Sequence, residues 1–249
     1  FPTPTLFRSK PDTPRDLILW PEYSLMEDPV RNPELWEQLQ SLTKETGSYL
    51  LFGAKNQPNA RDEKRFWNTA YLLSPMGQLL GTHVKNHTVH FIQDGVRGTE
   101  ARSIATPLGR LGVAICFDMD YPDVSRRLAQ DGAEVFLVPN MDPDEWGKIQ
   151  RTQHSLMFQM RAVECGKWLA RADVAGGTSV VAPTGEEVAR VPDGKPIYLD
   201  VQVGRDKGRT LYVRGGWCFP YVCVFVTSAM VGGGLVRSIR RRGHSTRTL

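Results

Sequence analysis

Residues 109–140 read GRLGVAICFDMDYPDVSRRLAQDGAEVFLVPN and contain two changes of hydrophobic pattern. The run at 109–116 is apolar and continuous, which favours a buried strand, and the run at 134–140 has the same character. Between them, residues 123–133 space their apolar side chains as a helix does, and Gly132 provides a stop. A strand, a helix and a second strand in this order are typical of an α/β fold with helices packed outside a sheet.

The same alternation extends along the chain from residue 16 to about residue 200. Short apolar runs bounded by turn-forming residues predict strands, and amphipathic stretches predict helices. The additional predicted strands are residues 16–20, 48–54, 68–75, 167–173 and 178–183, and the additional predicted helices are residues 33–46 and 152–167. One α/β domain accounts for this pattern and has ample length to bury a core.

The chain has 249 residues and a formal net charge of +4, and the positive charge is concentrated at one end. Residues 237–249 contain five arginines and no acidic residue, so the rest of the chain is nearly neutral. A nearly neutral body lacks the basic face of a nucleic-acid-binding protein, and we predict no such partner. The sequence contains no P-loop, no GxSxG elbow and no GxGxxG motif after a strand, so it predicts no nucleotide cofactor.

Metal ligation has little support in the sequence. The four cysteines include no CxxC pair, which excludes the common zinc spacing. His83, His87 and His90 lie close together, but their segment has the pattern of an extended chain and no HExxH motif accompanies them. We therefore predict no metal site and no cofactor.

Residues 215–236 form an uncharged run of 22 residues directly before the basic end. A membrane-spanning helix needs roughly 20 mainly apolar residues. Trp217, Phe219 and Tyr221 at the start fit an interfacial aromatic belt, and the arginines that follow fit a cytoplasmic end. We therefore predict a transmembrane helix, with the preceding domain on the outer side of the membrane. The alternative is a buried core helix or strand followed by a disordered tail.

Cys116 lies where a nucleophile is expected. It follows an apolar strand and precedes a helix, so the intervening turn can hold the thiol near backbone N–H groups that would stabilise an oxyanion. The alternative is a small buried apolar side chain, which is the common state of a free cysteine.

Two charged residues also follow strand-like runs. Glu22 comes after the strand at 16–20, where burial would raise the pKa of its carboxyl group and suit it to act as a general base. Lys85 follows an extended stretch and could stabilise a thiolate and an anionic intermediate. Taken singly, each residue could equally be a solvated surface charge.

Glu22 after Trp-Pro, Lys85 in Lys-x-His and Cys116 after Gly-Val-Ala-Ile together resemble the Glu–Lys–Cys signature of the carbon–nitrogen hydrolase (nitrilase) superfamily. The resemblance covers about residues 16–200. It implies an αββα sandwich in which the cysteine attacks a carbonyl or nitrile carbon and the glutamate acts as base. It also implies that the lysine, together with the N–H of Phe117, holds the oxyanion.

Within the superfamily the chain most closely resembles the apolipoprotein N-acyltransferase branch. Residues 153–185 are similar to a helix, strand and turn of that branch, and residues 210–217 lead into the apolar run in the same way. The resemblance implies that Asn140, Trp146 and His154 bind substrate, with Trp146 in a lid. It further implies a phospholipid acyl donor, a lipoprotein acceptor, a thioester intermediate and a place in the bacterial inner membrane.

Three features depart from the family pattern. The family has a second glutamate eight residues beyond the lysine, where this chain has Gln93 with Asp94 beside it, and either could support Lys85. The branch has a glutamate two residues after the cysteine, where this chain has Asp118, as the soluble hydrolases do. The family's first strand and helix and the branch's upstream membrane helices are missing, so we expect the C-terminal part of a larger membrane protein or a shortened relative.

The predicted organisation is a linker at 1–15, a catalytic domain at 16–214, a transmembrane helix at 215–236 and a basic tail at 237–249. Three functions remain open at this point. They are acyl transfer from a phospholipid to a lipoprotein, hydrolysis of a non-peptide C–N bond by an amidase or nitrilase, and a catalytically weak binding module. The last is motivated by Gln93 and by the missing opening elements, and the sequence sets no oligomeric state.

Overall fold

The computed structural model describes residues 15–57, 65–175, 177–191 and 198–245. It separates the chain into two units, one ending at Arg209 and one beginning at Thr210. The helices are α1 (Pro33–Thr46), α2 (Pro122–Gln130), α3 (Gly147–Cys165), α4 (Leu211–Arg214) and α5 (Phe219–Ser245). The strands are β1 (Leu17–Leu19), β2 (Tyr49–Asn56), β3 (Trp67–Leu73), β4 (Leu79–Val84), β5 (Ile104–Thr106), β6 (Gly109–Val113), β7 (Val135–Asn140), β8 (Trp168–Asp173), β9 (Ser179–Val181) and β10 (Glu187–Arg190).

The strands of the first unit form two sheets. One is four-stranded in the order β1-β2-β3-β4, and the other is six-stranded in the order β10-β9-β8-β7-β6-β5. β1 pairs parallel with β2, and β7 pairs parallel with both β6 and β8. The parallel strands β1 and β6 therefore both end at loops that carry candidate catalytic residues.

The two sheets face each other across the main core. The side chains that meet there come from β2, β3, β6 and β7, and they are Tyr49, Leu51, Ala70, Leu72, Leu111, Val113, Val135 and Leu137. The alternate residues of β2 and β3 pack with α1 on the other face, where the Phe52 and Tyr71 rings stack at 5.5 Å. Helices α2 and α3 pack on the second sheet. The layers are helix, sheet, sheet and helix, so the predicted αββα sandwich is confirmed.

Three predicted elements differ from those observed. β6 ends at Val113, short of the predicted end at Cys116, because its pairing with β7 stops there, and Cys116 itself leaves the extended conformation with a φ of +45°. α3 begins at Gly147 instead of residue 152. Residues 178–183 contain only β9, since Gly185, with a φ of +86°, turns the chain into the unpredicted strand β10.

The second unit contains the apolar helix α5. Gly216–Gly234 is long and apolar enough to cross a membrane, and none of this stretch is buried in the part of the chain that the structure describes. Within the described residues this stretch is therefore an exposed helix and not part of the core. α5 continues past the predicted end at residue 236 to Ser245, and arginine is a good helix former. Of the predicted linker at 1–15, only Arg15 lies within the described residues.

Gly53 allows β2 to pass very close to the loop that follows β1. A Cβ atom at Gly53 would lie 2.8 Å from Glu22 Cα, 2.9 Å from the Pro21 carbonyl oxygen and 2.9 Å from Tyr23 N. All three are backbone atoms, which cannot rotate away as a flexible side chain can. The position of Glu22 therefore depends on the absence of a side chain at residue 53.

We expect Gly53→Ala to displace the Glu22 loop and to lower the free energy of unfolding by about 1–3 kcal/mol, as overpacking does. Urea denaturation followed by tryptophan fluorescence measures this loss. Gly81→Ala in β4 is the matched control, because its Cβ would meet only Ile104 side-chain atoms at 3.0–3.4 Å. Equal losses in the two variants would contradict the prediction.

Candidate active site

Cys116 begins a short 3-10 turn, Cys116–Met119, just beyond β6. Its φ of +45° is a left-handed conformation that costs energy in a non-glycine residue and persists where its surroundings enforce it. The side chain is buried, and Sγ donates to the Met141 carbonyl oxygen at 3.9 Å. The turn therefore places the thiol beside the end of β7.

Asp118, inside this turn, ties it to the segment that follows β4. Its Oδ2 accepts from Ile115 N at 3.0 Å and lies 2.8 Å from His83 Nε2. Its Oδ1 accepts from the backbone N–H groups of Asn86 at 2.8 Å and His87 at 2.9 Å. Burial alone would raise the pKa of Asp118, but these partners outweigh it and hold the pKa below its ordinary value. Asp118 is thus a buried carboxylate that enforces the strained turn.

Glu22 lies in the loop after β1 and is buried. Its Oε1 accepts from Lys85 Nζ at 2.8 Å and from Asn68 Nδ2 at 2.6 Å, and its backbone N donates to the Asn140 carbonyl oxygen at 3.3 Å. Burial raises the pKa of Glu22, while Lys85 opposes the rise. A carboxyl group with a raised pKa is suited to take and return a proton near neutral pH.

Lys85 is buried between two carboxylates. Its Nζ lies 2.8 Å from Glu22 Oε1 and 2.7 Å from Asp94 Oδ2. Burial lowers the pKa of Lys85, but Cys116, Glu22 and Asp94 outweigh it and raise the pKa above its ordinary value. The ammonium group is therefore a permanent positive charge within the site.

Asp94, and not Gln93, supports Lys85. Besides the lysine, Asp94 accepts from Tyr23 Oη at 2.8 Å, from Asn68 Nδ2 at 2.9 Å and from Val89 N at 2.9 Å. The side chain of Gln93 is exposed. The structure thus gives Lys85 a second carboxylate partner, Asp94, one residue later in the chain than Gln93.

Sequence reasoning missed Asn68 and Tyr23. The side-chain amide of Asn68 is buried, and its Nδ2 donates to both Glu22 and Asp94. The sequence offered one indication of this role, because Asn68 is a polar residue at the start of the apolar run of β3. Tyr23 has a φ of +51°, which turns its hydroxyl towards Asp94, and no pattern in the sequence indicates it. Both residues supply hydrogen bonds that buried carboxylates require.

The charges around Cys116 define its chemistry. Burial raises the pKa of the thiol well above its ordinary value, Glu22 raises it further and Lys85 opposes the rise. The residue therefore rests as a thiol at neutral pH, and a base must remove its proton when a substrate binds. Glu22 is suited to be that base, and the Lys85 ammonium group is suited to stabilise a negative oxygen.

The residues predicted to bind substrate lie around the end of β7. Asn140 is fully buried, and its side-chain amide donates to Asp173. Trp146 is half-buried at the start of α3, with its ring edge-on to Phe91 at 5.8 Å. Phe117 follows the nucleophile candidate directly, so its N–H belongs to the same turn.

His154 is buried between two aspartates. Its Nδ1 lies 2.7 Å from Asp142 Oδ1, and its Nε2 lies 3.1 Å from Asp120 Oδ1. Cys116, Asp142 and His154 present a sulfur, an oxygen and a nitrogen within 4.8 Å of one another, a grouping that could hold a metal ion. Both ring nitrogens of His154 face carboxylates, however, so the geometry is that of an ion-pair cluster. His83, one of the three histidines grouped in the sequence, likewise contacts a carboxylate, that of Asp118.

We expect Asp118→Asn to lower the free energy of unfolding by roughly 3–5 kcal/mol, because a neutral amide would direct N–H groups at buried donors. Wild-type stability should also fall as the pH drops below about 4, since the stability contributed by the lowered carboxyl pKa is complete above the unfolded value and is lost as the pH falls through the folded one. Chemical denaturation between pH 3 and pH 7 measures both effects.

Asp144→Asn is the control for Asp118→Asn, because the side chain of Asp144 is 69% exposed and should cost less than about 1 kcal/mol. A loss at Asp118 no larger than at Asp144 would show that the turn does not depend on this carboxylate.

Several solved structures resemble the chain in fold. The solved structures that resemble the chain include the amidase of Nesterenkonia AN1, with a TM-score of 0.65 and 20% identity over 80% of each chain. They also include a carbon-nitrogen hydrolase of Helicobacter pylori G27, with a TM-score of 0.62 and 21% identity over 72% of this chain and 74% of that one. These likenesses show the fold.

Two curated proteins are similar in sequence. An apolipoprotein N-acyltransferase of Geobacter metallireducens is 28% identical over 232 residues, which are 85% of this chain and 44% of that protein. A deaminated glutathione amidase of Mus musculus is 28% identical over 200 residues, which are 72% of this chain and 61% of that protein. The chain thus spans about half the length of the curated relatives it matches.

The chain also matches the carbon-nitrogen hydrolase family over residues 9–209, a range that contains both sheets and every residue of the network around Cys116. With the αββα sandwich and a buried cysteine flanked by a glutamate and a lysine, the protein belongs to the carbon–nitrogen hydrolase family and is an enzyme of the nitrilase superfamily.

Proposed function

We propose that the protein is an N-acyltransferase that carries an acyl chain on Cys116 from a phospholipid to the N-terminal amine of a lipoprotein. The observation that carries this proposal is α5, an apolar helix long enough to cross a membrane and exposed along Gly216–Gly234. Such a helix would hold an enzyme beside an acyl donor that resides in the membrane, whereas a hydrolase of dissolved amides does not need to be held there. The acyltransferase relatives also match 85% and 91% of the chain, compared with 72% for the murine amidase.

In the first half-reaction, Glu22 removes the thiol proton and the Cys116 sulfur attacks the ester carbonyl carbon of the phospholipid. The carbonyl oxygen becomes an oxyanion, which the Lys85 ammonium group and the Phe117 N–H stabilise. The C–O bond to glycerol then breaks, and the lysophospholipid oxygen takes the proton from Glu22. The enzyme is left as a thioester.

In the second half-reaction, the amine of the lipoprotein N-terminal cysteine attacks the thioester carbon and gives a proton to Glu22. The C–S bond breaks, the amide is released, and the proton returns to the Cys116 sulfur. Each proton taken by Glu22 is thus returned within the same half-reaction. Lys85 serves the same role in both halves, because both pass through a tetrahedral oxyanion.

The substrate is proposed to enter beside the end of β7. Trp146 and the exposed Phe91 form an aromatic pair there, and their apolar surface fits an acyl chain. Asn140 and His154 shape the site from beneath, since both are buried. We further propose a place in the bacterial inner membrane, with the catalytic domain outside and the end of α5 in the cytoplasm.

A second candidate function is hydrolysis of a non-peptide C–N bond with water as the second nucleophile. It is favoured by the likeness to the murine deaminated glutathione amidase and by the amidase fold neighbours. Glu22, Lys85 and Cys116 would act as in the acyltransferase, but the thioester would be cleaved by water.

Incubation of the detergent-solubilised chain with a phospholipid of defined acyl composition is expected to add one acyl mass to Cys116, as measured by intact-mass spectrometry. The adduct should disappear after treatment with hydroxylamine, which cleaves thioesters, and it should be absent in Cys116→Ala. Cys165→Ala is the matched control, because Cys165 is also buried but lies in α3, and it should leave the adduct unchanged.

An acyl mass that survives in Cys116→Ala would contradict the assignment of the nucleophile. Turnover of simple amides with no adduct from phospholipid would support the amidase instead and would overturn the proposed acyl transfer.

We expect Asp94→Asn to slow formation of the adduct by roughly 10²-fold, because Lys85 would lose one of its two charged partners in the oxyanion site. Gln93→Glu should leave the rate unchanged, since that side chain is exposed. The measurement is the initial rate of adduct formation in the two variants and the wild type. A gain in rate with Gln93→Glu would show instead that Gln93 is the attenuated fourth residue.

A further inference from the structure

His154 forms the centre of a buried charge cluster that the proposed reaction steps do not use. Its Nδ1 faces Asp142 at 2.7 Å and its Nε2 faces Asp120 at 3.1 Å, and the side chain is 5% exposed. Asp142 also lies 3.8 Å from Arg171 Nη1, and its backbone N donates to Asp173 at 3.3 Å. The histidine is therefore enclosed by acidic groups on two sides.

Both aspartates that hold His154 belong to the segments that position Cys116. Asp120 directly follows the Cys116–Met119 turn. Asp142 directly follows Met141, whose carbonyl oxygen accepts from the Cys116 Sγ. An Asp142 oxygen, a His154 nitrogen and the Cys116 sulfur lie within 4.8 Å of one another. Any change in the charge of the histidine is therefore felt at the sulfur.

Asp142 opposes ionisation of the thiol. Its negative charge raises the pKa of Cys116, as burial and Glu22 also do, and Lys85 opposes them. A positive charge on His154 cancels the charge of Asp142 at close range. Burial alone would lower the pKa of His154, but Asp120 and Asp142 outweigh it and raise the pKa to about 9. The imidazole is thus cationic at neutral pH.

We propose that His154 is a positioning residue whose imidazolium neutralises Asp142 beside Cys116 and so keeps the thiol acidic enough for Glu22 to deprotonate. This inference rests on the proposed role of Cys116 as the nucleophile. His154 does not act as a second base, because an imidazole that is already protonated at neutral pH cannot accept a further proton. Its effect is electrostatic and is transmitted through Asp142.

Cys116, His154 and Asp142 each have charged neighbours within the cluster. Glu22, Lys85 and Asp142 act on Cys116. Asp120 and Asp142 act on His154. His154 and Arg171 act on Asp142, and Arg171 is held in place by the Gly177 carbonyl oxygen at 2.6 Å and by Ser155 Oγ at 3.0 Å. Arg171 therefore remains as one cation beside Asp142 when the histidine is removed.

The test is the initial rate of Cys116 alkylation by iodoacetamide at pH 7, where the imidazole is cationic, measured by mass spectrometry on the full chain in detergent. We expect His154→Gln to slow alkylation about tenfold, which corresponds to a tenfold smaller thiolate fraction. In the double variant Asp142→Asn/His154→Gln, the opposing charge is also absent, and the rate should return to the wild-type value or above. His87→Gln removes a half-buried histidine that pairs with an aspartate, Asp123, and should leave the rate unchanged.

An unchanged rate in His154→Gln would overturn the proposal. Equal losses of rate in His154→Gln and in the double variant would also overturn it, because the histidine would then act by packing. If His154→Gln does not fold, Asp142→Asn alone provides the test, since it removes the opposing charge and should raise the rate, and an unchanged rate would overturn the proposal.

Alkylation requires no phospholipid, so a lowered and restored rate stands even if acyl transfer fails. If wild-type Cys116 reacts no faster than Cys165, the thiol is not activated and this inference fails, whichever substrate the enzyme uses.

Discussion

The site depends on one buried ammonium group shared between two carboxylates. Lys85 comes from the end of β4, Glu22 from the loop after β1 and Asp94 from a later loop. The side chains of all three are only 1% exposed. Transfer of any one of these charges from water without its partners would cost several kcal/mol. The three segments can therefore fold together only in the arrangement that completes the cluster, and Asn68 contributes the hydrogen bonds that the carboxylates still require.

Cys116 is held by a second, separate carboxylate. Cys116 adopts a φ of +45°, and Asp118 accepts three backbone N–H groups that fix the turn. Strain of this kind persists when the surrounding bonds over-determine the conformation. Because the turn is fixed by Asp118 and the charges by Lys85, geometry and electrostatics at the sulfur are set by different residues. His154 adds a third influence, which acts on charge through Asp142.

The same arrangement of thiol, base and ammonium group can serve acyl transfer or hydrolysis, since both pass through a thioester and a tetrahedral oxyanion. What differs is the second nucleophile and the place from which the first substrate arrives. For this chain, the exposed apolar helix α5 favours a donor in the membrane. The aromatic pair Phe91 and Trp146 favours a substrate with apolar surface near the end of β7.

Hydrophobic period by itself determined the α/β class, the alternation of most strands and helices and the apolar stretch of α5, because these depend on neighbours two to four residues apart. The sandwich class came from the family resemblance. The order of Glu22, Lys85 and Cys116 indicated the family. Only the tertiary structure decided between Gln93 and Asp94, and only it brought His154 between Asp142 and Asp120. Such choices depend on distances between segments far apart in the chain, where a loop shifted by one residue exchanges a buried side chain for an exposed one, and no local pattern records that shift.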